Sequence, residues 1–225
     1  ALKFNYNFTS TPNGSVLIEA GKTQILCTAS VLNSVPKWLN GSTQGWLTAE
    51  YAMLPGAVEG RKKREFDRRD GRSVEIQRLI GRALRAAIDL RSIPGMTLHI
   101  DCDVIQADGG TRCASICGAM MALQEAANDL QEKGLLKSWP IKHRIAAISV
   151  GTIDNQTFLD LDYSEDSKAD VDMNVIATEK GELIEVQGTA EGSPFSLESH
   201  DELINLAMKG IKDIFKVMKP CANAY

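Results

Sequence analysis

Twice along this chain, a run of short strand-patterned segments gives way to a long helix-patterned one, and no low-complexity linker separates the two cycles. Alternating or β-branched runs at 2–7, 15–19, 23–30 and 46–53 predict strands, with Ala20-Gly21-Lys22 as a hairpin turn. Pro55-Gly56 closes that region, and a polar, basic loop runs on to Gly71. Ile76, Leu79, Ile80, Leu84, Ala87 and Ile88 then recur with the 3.6-residue period of a helix. That helix is predicted from Ser73, a candidate N-cap, to Leu90, and Pro94-Gly95 stops it. Alternation returns at 97–106, and a second helix is predicted from Thr111 to Leu130. Strands at 144–153, 157–163, 171–178 and 182–189 then precede a last helix over 196–218. This succession predicts an α+β fold built from two β-α units, with helices packed on mixed or antiparallel sheets. At 225 residues one compact domain spanning 1–225 can bury a substantial core.

Composition narrows the function classes. No run approaches the roughly 20 apolar residues that a bilayer-spanning helix needs, so no membrane role is expected. Residues 1–20 lack the basic-then-apolar pattern of a secretory signal. The five cysteines include no Cys-x-x-Cys pair, and Cys113 and Cys117, four apart, have no histidine near enough in sequence to complete a zinc signature. Buried thiols in a reducing compartment are the simplest account of them, and a cytoplasmic location is expected. His99, His143 and His200 stand isolated, with no nucleophile–base pattern around them.

The formal net charge of −4 argues against a nucleic-acid binder only on average, because the charge is segregated. Ten Lys/Arg lie between Arg61 and Arg85 against four acids, whereas ten Asp/Glu lie between Asp154 and Glu185 against two lysines. A basic stretch beside an acidic one suits a polyanion handled with a metal ion, and equally suits two solvated faces.

Three segments carry chemistry. Asp108-Gly109-Gly110-Thr111-Arg112 joins a predicted strand to a helix start. There the glycines let backbone N–H groups approach an anion, while Thr111 and Arg112 add a hydroxyl and a two-pronged donor matched to phosphate oxygens. A plain capped turn would look the same. Asp70-Gly71-Arg72 could bring a second guanidinium to that anion. Before it, Arg61, Lys62, Lys63, Arg64, Arg68 and Arg69 could grip a sugar-phosphate backbone, with Phe66 available to stack on a base. Finally, the dense acids from Asp160 to Asp172 repel one another unless solvated or bound to a cation; Asp166 and Asp172 could aim at one point and hold magnesium, and an acidic surface loop is the plain alternative.

Read together and in order, these segments resemble the ribonuclease PH family. The match is carried by Gly45-Trp46-Leu47-Thr48-Ala49-Glu50-Tyr51, by Gly71-Arg72 with Glu75-Ile76-Gln77-Arg78-Leu79-Ile80-Gly81-Arg82, and by Gln106-Ala107-Asp108-Gly109-Gly110-Thr111-Arg112. Glu165-Asp166-Ser167, Asp172-Met173-Asn174 and Val186-Gln187-Gly188-Thr189-Ala190-Glu191 extend it over nearly the whole chain. The resemblance implies a duplicated fold like that of a ribosomal-protein domain, assembled as a homo-hexamer, a trimer of dimers. It implies a phosphate-dependent 3′→5′ exoribonuclease and tRNA nucleotidyltransferase acting on RNA, with inorganic phosphate as co-substrate and Mg2+ as cofactor. On the family's pattern, Arg72, Gly110, Thr111 and Arg112 would bind phosphate, and Asp166 and Asp172 would be the catalytic, metal-holding pair. A metal-dependent hydrolytic nuclease and a non-catalytic RNA-binding ring subunit are the alternative readings. The chain departs from the pattern at Gly56, where an arginine is usual, and at Cys113 and Cys117, which stand where threonines are more usual.

Overall fold

The computed structural model describes residues 1–65 and 70–220, and its elements follow the two cycles. In the first, β1 (Leu2–Tyr6), β2 (Gly14–Ala20), β3 (Thr23–Leu32) and β4 (Trp46–Met53) precede α1 (Gly71–Ala87), and β5 (Thr97–Gln106) leads into α2 (Thr111–Glu132). In the second, β6 (Ile145–Ile153), β7 (Gln156–Leu159), the one-turn α3 (Tyr163–Asp166), β8 (Val171–Thr178) and β9 (Leu183–Ala190) precede α4 (Leu197–Val217). The first five strands form a sheet in the order β1-β2-β3-β5-β4; the last four form a sheet in the order β7-β6-β8-β9. All neighbours are antiparallel except β4 and β5, which run parallel because α1 is the crossover between them. The protein is α+β, with one mixed sheet and one antiparallel sheet.

Burial follows the period of each element. On β5, Leu98, Ile100, Cys102 and Val104 are buried, while His99, Asp101 and Asp103 between them are partly exposed, as expected for a sheet with one face on the core. Helix α2 behaves differently: 17 of its 22 residues are buried, so it has no solvent face of its own. It packs on β2 and β3 of the first sheet and on β6 of the second, and a continuous hydrophobic cluster runs through it from one sheet to the other. The close approach depends on Gly118, where a Cβ would lie 2.6 Å from Cys27 Sγ and 2.8 Å from Ile18 Cγ2. Helices α1 and α4 keep polar outer faces and cover β4 and the β6/β8 pair, respectively.

Three boundaries differ from the sequence expectation, each for a local reason. Helix α1 starts at Gly71, capped by the Asp70 carboxylate, which accepts the Arg72 N–H at 3.2 Å. Ser73 lies buried inside the first turn, and its hydroxyl donates to Glu65 at 2.9 Å. The same helix ends at Ala87, because Ile88 leaves it to bridge Ile141. The strand expected at 157–163 stops at Leu159, since Asp160 takes a φ of +61° and Asp162 opens α3 through a capping box with Glu165.

Candidate active site

The start of α2 is built from backbone. After β5 the chain turns through Asp108-Gly109-Gly110, and Thr23 Oγ1 fixes the turn from both sides, accepting the Asp108 N–H at 2.9 Å and donating to the Gly109 carbonyl at 2.9 Å. Gly109 has a φ of +79°, and a Cβ there would sit 2.5 Å from the Leu161 carbonyl, so the turn is pressed against the segment that opens α3. Gly110, the N-cap, is left-handed with a φ of +57° and offers no capping side chain. The first N–H groups of α2 therefore lack the usual side-chain cap, at the helix end that carries partial positive charge.

Two side chains of that first turn have different partners. Thr111 is buried, and its hydroxyl accepts a hydrogen bond from Tyr51 of β4 at 2.9 Å. Burial pushes the Tyr51 phenol up, while its bond to Thr111 and the positive charges of Arg72 and Lys62 pull it back. Tyr51 is thus bonded to the start of α2 and feels the charge of Arg72, which is exposed at the start of α1. Arg112 pairs its Nη2 with Glu75 Oε2 of α1 at 3.2 Å.

In the same groove as Arg112 stands Asp172, with Asp166 near enough for its charge to act on it. Asp166 ends α3 and is exposed; Asp172 is the second residue of β8 and is partly buried. The Asp172 carboxyl is raised above the ordinary range, first by burial and next by the charge of Asp166, with Arg112 and a hydrogen bond from Asn174 acting in the opposite direction. Glu75, Arg112, Asp172, Asn174 and residues Val186–Thr189 of β9 line a common groove of about 460 Å3. Asn174 Nδ2 donates to Asp172 Oδ2 at 3.4 Å, and Asn174 Oδ1 accepts from the buried Cys113 thiol at 3.1 Å. Burial keeps the ionisation of that thiol well above the usual range.

The structure therefore brings Arg112 and Asp172 into one groove and sets Asp166 where its charge acts on Asp172, while Arg72 is exposed at the start of α1, outside the lining of that groove. Gly110 stands at the start of α2. Of the basic loop, Arg61, Lys63 and Arg64 are exposed, whereas the Lys62 ammonium is engaged by Glu65 at 2.8 Å and Asp70 at 3.2 Å, which makes it an anchor of the loop. Phe66, Arg68 and Arg69 lie outside the described residues. A second cavity of about 470 Å3 opens on the far side of the Gly109-Gly110 turn, with Ile18, Ala114, Ile148, Leu161 and Ile214 among its lining. Among the described residues no group of three or more His, Cys, Asp or Glu gathers as a metal cage. A hard dication held by one or two carboxylates together with substrate phosphates needs no such cage, and Asp166 with Asp172 suits that donor set. Also among the described residues, no helix is long and apolar enough to cross a membrane.

The sequence reading gave no role to Tyr51, Glu75 or Asn174. Tyr51 was detectable as an inward position on an alternating strand and Asn174 by its two-residue spacing from Asp172; nothing in the sequence marked Glu75 as the partner of Arg112.

Residues 1–127 match the model for domain 1 of the 3′ exoribonuclease family, and residues 143–210 match its domain 2. Among solved structures, an Archaeoglobus fulgidus exosome with RNA bound to the active site is similar with a TM-score of 0.83 and 18% identity, covering 97% of this chain and 88% of the other. Rice Rrp46 matches with a TM-score of 0.79 and 16% identity over 97% of this chain and 92% of the other. An archaeal exosome core matches with a TM-score of 0.79 and 17% identity, over 97% and 87%. At these identities the structural likeness carries the fold.

Proposed function

This chain belongs to the 3′ exoribonuclease family, and on that premise we propose that it is a phosphorolytic 3′→5′ exoribonuclease that trims the 3′ ends of tRNA precursors. The observation that carries the proposal is the groove that sets the Arg112 guanidinium against the Asp172 carboxylate. A hydrolytic nuclease needs the acids; what favours phosphorolysis is that the groove holding Asp172 also presents a guanidinium, from the first turn of a helix whose start has no side-chain cap, donors that suit an anionic nucleophile.

Arg72, Arg112, the Thr111 hydroxyl and the N–H groups after Gly110 hold inorganic phosphate beside the last phosphodiester of the RNA. Phosphoryl transfer asks mainly for positioning and charge neutralisation, so the isolated histidines are no obstacle. A phosphate oxygen bonds to the terminal phosphorus, the bond to the penultimate 3′-oxygen breaks, and a proton goes to that oxygen. The products are a nucleoside diphosphate and an RNA one nucleotide shorter, and exchanging a phosphodiester for a phosphoanhydride leaves the step readily reversible. Asp166 and Asp172 would hold Mg2+, which supplies stabilisation of charge on the leaving oxygen. The alternative role for one of the two is to deliver that proton as the general acid. Arg61, Lys63 and Arg64 would contact the RNA backbone. A homo-hexameric ring, a trimer of dimers, is the proposed assembly, and the cytoplasm the proposed location.

The test is digestion of a tRNA with a 3′ extension, in Mg2+, with and without inorganic phosphate. Nucleoside diphosphates released only with phosphate are expected. Monophosphates in both conditions would make water the nucleophile and remove the role given to Arg72 and Arg112, while no release would favour an RNA-binding ring subunit.

A further inference from the structure

Residues 172 and 174 are two apart on β8, so both side chains project from one face of the strand. Asn174 is only 7% exposed, and a buried amide without partners would be costly to keep there. Its two ends find different partners: Oδ1 meets Cys113 Sγ at 3.1 Å, and Nδ2 meets Asp172 Oδ2 at 3.4 Å. The chemistry at each end admits one orientation of the amide. A buried thiol offers a hydrogen, so it faces the oxygen; a carboxylate only accepts, so it faces the NH2 group.

Cys113 is the third residue of α2, next to Arg112. One residue of that turn thus faces the groove while the next reaches the strand that carries Asp172. Cys113 is 5% exposed, and its contact with Asn174 distinguishes it from a thiol that merely fills space.

We propose that Cys113 and Asn174 form a hydrogen-bonded strut that holds the Asp172 carboxylate in the orientation the reaction uses, making both of them positioning residues. The inference rests on the reading of Asp172 as a metal-holding carboxylate. Partners behind a ligating carboxylate fix its rotamer, and their loss usually costs metal affinity. Because the strut begins in the turn that presents Arg112, a shift of the start of α2 would move the guanidinium and the carboxylate together.

The test is direct Mn2+ binding, measured by electron paramagnetic resonance of the free ion without RNA or phosphate, on the full chain. Cys113→Val keeps the size and removes the donor; Cys113→Ser keeps a donor. Binding is expected to weaken about tenfold in Cys113→Val and to return to within about twofold of the wild type in Cys113→Ser. Asn174→Leu, read in the same assay with a thermal melt to confirm folding, should repeat the loss and covers the case in which Val crowds the helix. Wild-type affinity in folded Cys113→Val and Asn174→Leu would overturn the strut alone. If Asp172→Asn binds Mn2+ as well as the wild type, the reading beneath the strut falls and takes the strut with it.

Discussion

The two sides of the groove are held by different means. On the side proposed to take phosphate, Gly109, Gly110, Thr23, Tyr51 and Thr111 form a lattice of backbone turns and neutral hydrogen bonds that no change of protonation near neutral pH disturbs. On the carboxylate side, burial and the neighbouring Asp166 both work against the charge of Asp172. The first side is stable by construction. The second is strained electrostatically, as expected where a group is placed for use and not for stability.

The sharpest break in this comparison is Arg112→Ala, which removes the residue that reaches across to the acids. Phosphate-dependent degradation should fall by at least about 10³-fold, as for loss of a key charge-stabilising donor, with the thermal transition little changed; full activity at low phosphate would sink the assignment. Asp172→Asn comes next and should split activity from stability. Activity should fall by about 10²–10³-fold. Because the folded-state pKa of Asp172 is raised, the folded protein binds the proton more tightly than the unfolded chain does. The burial penalty is then absent at pH below the unfolded value and grows as pH rises through the folded pKa. The variant removes that penalty, so its melting temperature should exceed the wild type's at neutral pH and converge with it in acid; a lower melting temperature at pH 7 would contradict the strain.

Gly109→Ala probes the backbone side. A methyl group at a φ of +79° and 2.5 Å from the Leu161 carbonyl should cost about 2–4 kcal/mol in denaturant unfolding, and an unchanged midpoint would mean the turn is looser than described. Tyr51→Phe removes one neutral hydrogen bond to Thr111 and should cost about 1 kcal/mol, with a modest rise in the KM for phosphate as its kinetic trace.

The same division governed what the sequence disclosed. Period and turn residues located both cycles, and a Gly-Gly-Thr-Arg string declares a helix start because glycine and threonine there act through local backbone geometry. The start of α1 was misplaced by two residues because Asp70 and Ser73 are both competent caps, and only Glu65, which occupies the Ser73 hydroxyl, decides between them. The short α3 was hidden because Asp160, a residue without glycine's freedom, turns the chain at a positive φ. The Arg112–Glu75 pair and the Cys113–Asn174 contact join residues 37 and 61 apart in sequence, which no local pattern can signal.

The position of α2 between the sheets has a consequence for how the chain is made. Synthesis delivers β1 to α2 first, enough to complete the five-stranded sheet. One flank of α2, which carries Cys113 and Cys117, still awaits Asn174 and Ala147 from strands not yet emerged. A nascent chain that has emerged only as far as residue 132 therefore shows water an apolar helix flank of the kind that holdase chaperones bind. The closing contacts come last, when the Lys219 N–H meets the Tyr6 hydroxyl across 213 residues. The groove, with walls from α1, α2, β8 and β9, forms only once Thr189 has emerged, so no chemistry can start in it while translation is still within the second half.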